Sequence, residues 1–413
     1  MAQYGVNEKD REILRGLAKE LREDAEKPIQ EMKRRLWTAH NDLKTSQPLV
    51  FCDPENGWNE IITQDDLLCQ GETARGWEWY LRRQLFTSRV MKDDVVIDAA
   101  FPVPYVAGSD GWGVEIRHIG GENNGAYHVK QAIEDYERDF DKVRFPEYTV
   151  DFEASDRLLE AAREVFEPIL RVERYHAWWW SLGLTAQFID LRGLEDFMYD
   201  LIDEPEWVHR LMELLCAGTI RRIDRLEREG LLCQNTGNRY VGSGGFGFTE
   251  EIAPAAAGQV KARDMWGFVE SQETVSISPE MYNEFVYPYH ERIAKKFALN
   301  CFGCCEPYDL RWKYARNLPR LRRVSCSPWS KRERMEENLG MRYIASIKLN
   351  PSPLSLPRMD EEFVRRQLRE AVENARGCVP ELIMKDCHTI GKNPNNPVRW
   401  VEMAREEISR AFG

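Results

Sequence analysis

Short runs of aliphatic and β-branched residues alternate with longer amphipathic stretches along most of the chain. From "LVFC" at 49 to 52 onward, this alternation predicts a parallel sheet whose strands are joined by crossover helices. The predicted strands are 49 to 52, 94 to 100, 168 to 173, 266 to 271, 298 to 302, 322 to 326, 342 to 347 and 381 to 385. Eight strands, and no glycine fingerprint after the first, favour an α/β fold of the (β/α)8 TIM-barrel type over an open sheet.

The first 46 residues carry helical periodicity instead, with one apolar face formed by Ile13, Leu14, Leu17 and Leu21. We therefore predict an N-terminal helical extension, residues 1 to 46, followed by a TIM-barrel catalytic domain, residues 47 to 413. Further predicted helices are 65 to 88, 156 to 167, 205 to 229, 279 to 297, 360 to 376 and 397 to 411.

Two connections, after predicted strands two and three, are longer than usual. They span 103 to 165 and 231 to 262. The second contains the glycine-rich "NRYVGSGGFGFTEEIAP", which we interpret as a mobile lid over the site.

Composition and charge narrow the class of protein. With 413 residues and 43% hydrophobic content, the chain can bury a substantial core. The formal net charge of −12 disfavours nucleic acid as a partner. No apolar run is long enough for a membrane span and the start does not resemble a secretory signal, so we expect a cytoplasmic protein with no membrane partner. Ten cysteines are too sparse for a disulfide scaffold, and we expect free thiols.

Candidate site residues follow the predicted strands, because the chemistry of a TIM barrel lies at the carboxyl ends of its strands. Aromatic residues there suit a small, partly apolar substrate. The predicted substrate-binding residues are Glu55, Tyr105, Trp112, His176 and Trp178, and the predicted catalytic residues are Glu273, Glu306, Lys348 and His388. Plainer interpretations remain open: Glu273 could cap the following helix, Lys348 could pair with Asp386, and Trp178 could be packing.

The stretch "CFGCCEP", Cys301 to Pro307, gathers three thiols and a carboxylate after the fifth predicted strand. Cys387 and His388 follow the eighth strand and could reach the same rim. Thiolate and carboxylate ligands with one open position are typical of catalytic zinc. The predicted zinc ligands are Cys304, Cys305, Glu306 and Cys387. The alternative is that these cysteines are small buried residues with no ligand role.

Several motifs in order resemble the uroporphyrinogen decarboxylase superfamily, and within it the decarboxylase-like branch of corrinoid-linked methyltransferases. They include "FGCCEPYDLR", "LPRLRRVSCSPWSKRE", "VESQETVSISPEMYNEFVYPYHERI" and "IMKDCHTI", and the likeness covers roughly residues 35 to 410. The resemblance implies a TIM barrel that moves a methyl group between a small methylated substrate, such as a methoxyarene, and a separate corrinoid protein. It also implies activation of the methyl donor by zinc or by an acid.

The resemblance implies a zinc held by a His-x-Cys pair after strand five and a cysteine near strand eight. Cys387 stands at the second place, whereas Asn300 and Phe302 stand at the first. "DCHTIG" fits the D-x-H-x-x-G pattern of a cobalamin-binding domain, but only 22 residues follow Gly391. We therefore expect the corrinoid to be carried by a partner protein.

Two other functions remain open at this point. One is a decarboxylase-like lyase acting on an anionic substrate held by Lys348, Arg117 and Arg192, although the arginine-rich segment of true decarboxylases is replaced here by "FCDPENGWNE". The other is a binding protein without catalysis. The methyl donor, the direction of transfer and the oligomeric state, a homodimer among the options, are not decided by the sequence.

Overall fold

The computed structural model describes residues 4–120 and 127–413. The α-helices are α1 (Glu8–Ala25), α2 (Pro28–Asn41), α3 (Trp58–Ile61), α4 (Glu72–Phe86), α5 (Tyr136–Asp139), α6 (Phe152–Phe166), α7 (Thr185–Arg192), α8 (Leu194–Asp203), α9 (Pro205–Arg228), α10 (Pro279–Phe285), α11 (Tyr287–Ala294), α12 (Tyr308–Ala315), α13 (Met335–Asn338), α14 (Glu361–Asn374) and α15 (Asn395–Phe412). In the described ranges, no helix has the length and apolar character needed to cross a membrane.

The strands are β1 (Leu49–Cys52), β2 (Ala100–Val103), β3 (Val106–Ser109), β4 (Arg117–Gly120), β5 (Tyr127–Lys130), β6 (Tyr148–Asp151), β7 (Arg171–Arg174), β8 (Gly237–Tyr240), β9 (Phe246–Gly247), β10 (Trp266–Val269), β11 (Leu299–Phe302), β12 (Leu321–Cys326), β13 (Ile344–Lys348) and β14 (Val379–Met384). Six of them form one parallel sheet in the order β1-β14-β13-β12-β11-β10. A separate parallel pair joins β2 to β7.

The predicted α/β fold with a parallel sheet is confirmed. Seven of the predicted strands overlap observed strands over most of their length. The second, predicted over 94 to 100, is wrong for all but its last residue, because β2 begins at Ala100. Within the described ranges, no backbone ladder joins β1 to β2 or β7 to β10. Closure of the sheet into a barrel therefore stays a prediction.

Side chains, not strands, satisfy the backbone at the edge formed by β1. The Asp94 carboxylate accepts from the Val50 N–H at 2.7 Å, and Asp93 accepts from the Cys52 N–H at 3.0 Å. The following apolar residues also lack a strand partner: Lys33 donates to the Val95 carbonyl at 2.9 Å. An edge covered in this way is protected from pairing with another chain.

The edge formed by β10 is covered similarly. The Asn235 side chain accepts from the Trp266 N–H at 2.8 Å and donates to the Trp266 carbonyl at 2.9 Å, imitating a strand partner. The Leu182 N–H donates to the Phe268 carbonyl at 2.8 Å. Together these contacts satisfy backbone groups of β10 on the side where it has no strand partner.

The glycine-rich segment is an interior element, and its interpretation as a lid over the site is wrong. Residues 241 to 248 are all buried. A Cβ at Gly242 would lie 2.9 Å from the Cys301 sulfur, and one at Gly245 would lie 2.9 Å from Arg323. The segment, which we call the glycine plug (residues 241 to 248), therefore passes against side chains of the parallel sheet, and only glycine allows so close an approach.

The N-terminal helices are amphipathic as predicted and share a core with the sheet. Leu14 and Trp37 belong to the same apolar cluster as Leu49 and Phe51. The side chain of Asn41 donates to two carbonyls of the glycine plug, at 2.7 and 2.6 Å. The division at residue 46 stays a prediction, but the first two helices pack as part of the main body.

The helix predicted over 279 to 297 is two helices, α10 and α11. Pro288 lies in the first turn of α11. Proline has no N–H to donate and disfavours helical geometry in the preceding residues, so the helix restarts there.

Candidate functional site

A buried sulfur and a buried ammonium meet at the carboxyl ends of β11 and β13. The Lys348 Nζ lies 3.3 Å from the Cys304 Sγ and 3.1 Å from the Cys304 carbonyl oxygen, and it also donates to the Ser243 hydroxyl of the glycine plug. Ser243 donates to the Cys304 Sγ at 3.1 Å. The Cys305 sulfur is 3.6 Å from the Cys304 sulfur. Lys348 therefore contacts Cys304. Its pairing with Asp386, one of the interpretations of the sequence, is not what the structure shows.

These contacts favour the thiolate form of Cys304. The hydrogen bond with Cys305 lowers the pKa of Cys304, and the ammonium of Lys348 adds to this effect against the opposing influence of burial. The same hydrogen bond raises the pKa of the Cys305 thiol, and burial raises it further. The pair thus holds one thiolate and one thiol.

Two buried carboxyl groups, Glu270 and Glu306, and the half-buried Glu273 lie near this pair, and they play different parts. Glu306 is fully buried and accepts the backbone N–H groups of Ser271 and Cys304, both at 2.8 Å. Its two oxygens therefore tie the loop that follows β10 to the loop that follows β11. Arg311 donates to the Ser271 carbonyl at 3.0 Å and holds the loop after β10.

Glu270 and Glu273 are the carboxyl groups suited to hold a proton. Burial raises the pKa of Glu270 well above its usual value, and the nearby charges of Glu273 and Glu306 raise it further. Burial also raises the pKa of Glu273, whose carboxylate accepts from the Thr185 hydroxyl at 2.6 Å. Glu270 was not among the predicted catalytic residues. Its sequence signal is its place directly after β10, on the same face as Trp266 and Phe268.

A second buried lysine, Lys385, links the segments that follow β1 and β14. Lys385 lies 3.2 Å from Glu55, and Glu55 also accepts the Asp386 N–H at 3.1 Å. Glu55 and Asp386 both have left-handed backbones, with φ of 50° and 62°. Left-handed backbone at non-glycine residues is costly and concentrates at functional sites. The predicted substrate-binding residue Glu55 is thus engaged with Lys385.

The four predicted zinc ligands are not gathered around one point. Cys387 is buried, burial raises its pKa to about 12, and its thiol contacts the Lys385 carbonyl at 3.8 Å. His388, next to it, is exposed. Glu306 has both oxygens on backbone N–H groups, and Cys304 is engaged by Lys348. Across the described residues, no group of three or more His, Cys, Asp and Glu side chains could hold a metal ion, whereas catalytic zinc needs three protein ligands. Zinc at this site therefore stays a prediction.

An aromatic cavity of about 440 Å³ lies between β7 and β10. Its walls include His176, Trp178, Trp179, Trp180 and Phe268. Trp180 is 48% exposed and its ring centroid lies 5.6 Å from the Lys385 Nζ, which connects the cavity to the charged groups at the strand ends.

Of the aromatic residues predicted to bind substrate, His176 and Trp178 line this cavity. Tyr105 stacks behind them, with its ring centroid 6.0 Å from that of Trp178. Trp112 lies instead in the hydrophobic core, where its ring would contact any Cβ at Gly218. Its place in the core does not favour contact with substrate.

A smaller, polar cavity of about 160 Å³ adjoins the aromatic one. The two share Tyr80, Pro102, Asn238, Arg239 and Tyr240 as lining residues. Arginines that line the polar cavity already have carboxylate partners: Arg83 lies 3.3 Å from Asp53, and Arg239 pairs with Glu173. The joined cavities therefore offer an aromatic chamber and a polar chamber whose arginine charges are balanced.

Comparisons with known proteins support the fold. No protein-family description matches the chain, and no curated protein does. Among solved structures, the chain is similar to a methyltransferase from Methanosarcina mazei, with 14% sequence identity and a TM-score of 0.51. The match covers 91% of this chain and 98% of that chain. At this identity the similarity extends to the α/β fold over nearly the whole of both chains, and the activity has to be argued from the site.

Proposed function

We propose that the protein is a methyltransferase that moves a methyl group between a small methylated substrate and the corrinoid of a separate protein. A methoxyarene, with O-demethylation as the reaction, is the substrate class we favour. The observation that carries the proposal is an aromatic cavity lined by Trp180, whose neighbour in the chain, Ser181, lies 3.0 Å from the buried Glu270 carboxyl group. Burial raises the pKa of this carboxyl group. The motif resemblance and the shared fold support it, and we propose a closed barrel as its scaffold.

The aromatic cavity would hold the body of the substrate. Indole rings bind an arene by offset or edge-to-face contact, and His176 adds a polar group on the same wall. Gly242 of the glycine plug also lines this cavity, and Ser243 is the next residue in the chain. The substrate would therefore lie within reach of both the acid cluster and the Cys304–Lys348 pair.

Glu270 would act as the general acid. Breaking an O–CH3 bond leaves a negative oxygen, and such an anion leaves readily only when it is protonated as the bond breaks. The Ser181 hydroxyl lies 3.0 Å from the Glu270 carboxyl group and accepts the Gly183 N–H at 2.9 Å. A protonated Glu270 can donate to Ser181 Oγ while the Ser181 hydrogen turns towards the substrate oxygen.

The predicted Glu306 and the newly found Lys385 would position or electrostatically stabilise other groups and would not transfer the proton. Glu306 holds the loop through two backbone N–H groups, and Lys385 places positive charge beside Trp180. A corrinoid on the partner protein would supply a soft cobalt centre that accepts or gives the methyl group. No step of this proposal uses zinc, because the predicted ligands do not converge.

The decarboxylase-like alternative needs positive charge to hold substrate carboxylates. Arg83, Arg239 and Arg192 each have a carboxylate partner, the last being Asp200 at 2.8 Å. The Arg117 side chain lies outside the described part of the chain. Paired arginines make the lyase the weaker candidate, with Lys348 also engaged by Cys304.

The test is methyl transfer to a reduced corrinoid carrier, followed through the cobalt absorption spectrum with a panel of methoxyarenes and other methyl donors. We expect Glu270→Gln to lower kcat by about 10²- to 10⁴-fold, the usual contribution of a general acid. Exposed Glu206→Gln is the matched control and should transfer at the parent rate. No spectral change with any donor, in protein shown to be folded, would reject the proposal in favour of the lyase.

A further inference from the structure

The Lys348 ammonium occupies a cation site built by this chain. It is 2% exposed, and it contacts the Cys304 sulfur, the Cys304 carbonyl oxygen and the Ser243 hydroxyl. An ammonium has three N–H donors, so each of them has an acceptor here. The carbonyl oxygen is itself held by the Ser325 hydroxyl at 2.9 Å, which fixes the cage from the neighbouring strand.

This cage consists of the kinds of atoms that bind a metal ion. It has a sulfur, a hydroxyl oxygen and a carbonyl oxygen around one positive charge. A divalent ion at the same sulfur would lie against a buried ammonium, and the two cations would repel each other at low dielectric. Cys305, the other sulfur within reach, is 3.6 Å from Cys304 and belongs to the same pair.

The other candidate ligands cannot complete a metal shell around this sulfur. Glu306 is committed to the backbone N–H groups of Ser271 and Cys304. Cys387 follows β14, and its buried thiol contacts the Lys385 carbonyl oxygen. The donors left for a metal ion are the sulfurs of Cys304 and Cys305, the Ser243 hydroxyl and the Cys304 carbonyl oxygen, enough for the three protein ligands of a zinc site. Lys348 contacts three of these four donors and so occupies the place that the ion would need.

We infer that Lys348 takes the place of the metal ion, so that the chain pairs the buried Cys304 sulfur with an ammonium and binds no zinc there. The lysine is a positioning residue that holds the Cys304 sulfur and carbonyl oxygen against Ser243, next to the cavity-lining Gly242. The glycine plug contributes to this arrangement, because the Ser243 hydroxyl accepts from Lys348 and donates to the Cys304 sulfur. The inference stands apart from the proposed function, since neither the cage nor its test involves a substrate.

The test is zinc binding by the full chain. Protein is produced in zinc-supplemented medium, its metal content is measured, and the zinc affinity is determined by competition with a chromophoric chelator. The variants are Lys348→Met, which removes the charge, Lys348→Arg, which keeps it, and exposed Lys331→Met as the matched control. Circular dichroism establishes that each variant is folded.

We expect the parent, Lys348→Arg and Lys331→Met to hold less than stoichiometric zinc. Lys348→Met should bind zinc at least about tenfold more tightly, because zinc then meets a sulfur without a competing ammonium. Adding Cys304→Ser to Lys348→Met should abolish that gain. A full equivalent of zinc in the parent that is lost in Cys304→Ser would overturn the inference, and so would equal affinities of Lys348→Met and Lys348→Arg. If Lys348→Met does not fold, the metal content of the parent decides alone.

Discussion

At the scale of single residues, neighbours assign each buried ionisable group a definite charge. Cys304 is held as a thiolate by Lys348 and Cys305, whereas burial keeps Cys387 a thiol. Burial, with the nearby charges of Glu273 and Glu306, raises the pKa of Glu270. Residues of one chemical type therefore have different functions, and sequence alone does not separate them.

Asp93 provides a pH-dependent prediction at this scale. Burial raises its pKa from 3.8 to about 7 in the folded protein. Because the folded state binds the proton more tightly, Asp93 lowers stability as pH rises from about 4 towards 7 and above. In urea unfolding at pH 5 and pH 8, we expect the parent to lose more stability between the two pH values than Asp93→Asn does.

Asp93→Asn should itself cost about 1 to 3 kcal/mol at pH 5, because an amide offers one acceptor oxygen where the carboxyl group serves the N–H groups of Cys52 and Val95. Equal pH slopes for parent and variant would show that Asp93 does not titrate in this range.

At the scale of elements, the sheet edges and the glycine plug depend on contacts between residues far apart in the sequence. The local pattern of apolar and polar residues does not predict such contacts. The apolar run at 95 to 97 was predicted as strand and instead gives its backbone groups to side chains. Lys33 takes the Val95 carbonyl, Asn238 takes the Val96 carbonyl, and Gln30 takes the Ile97 N–H. A buried backbone group needs a partner but not a strand partner.

Gly242→Ala tests the plug. Gly242 has φ of 66°, and its Cβ would lie 2.9 Å from the Cys301 sulfur. We expect a loss of about 2 to 5 kcal/mol in the free energy of unfolding, from left-handed strain and overpacking together. Gly258→Ala is the control, with φ of 78° and no atom within 4 Å, and should lose about 1 to 2 kcal/mol from strain alone. Equal losses would place the segment away from the sheet.

At the scale of the whole molecule, a buried ion network ties α2 to β12 and β14. The Arg323 guanidinium donates to Glu381 at 2.9 Å and to Asn41 at 2.6 Å, and each of these three side chains is at most 1% exposed. Arg323 and Glu381 are each the third residue of their strands, β12 and β14.

Arg323→Met should destabilise the protein by about 3 to 5 kcal/mol, because it leaves Glu381 buried without its cation. The double variant Arg323→Met with Glu381→Leu should recover part of that loss, since no uncompensated charge remains. Urea unfolding of the parent, both single variants and the double variant measures the coupling. A double variant as unstable as the sum of the single ones would contradict the network.

Seven of the eight predicted strands, the helical N-terminal region and the long helix at 205 to 229 could be predicted from sequence because their signals are local. Aromatic wall residues His176 and Trp178 could be found in the same way, by their place after a strand. The assignment of Trp112 to the site could not be checked locally, since its ring packs on Gly218, more than a hundred residues away. Glu270 was passed over because burial, which sets its pKa, is a tertiary property.

The order of apolar and polar residues determined by itself that this chain forms parallel strands joined by helices, because periodicity of two or 3.6 residues is encoded within each segment. Which buried groups carry charge was decided by tertiary structure. Lys348 meets Cys304 across 44 residues and Ser243 across 105, and such meetings depend on how the segments pack. The sulfur-rich loop predicts a metal site from the sequence, but in the folded chain its Cys304 sulfur contacts the ammonium of Lys348.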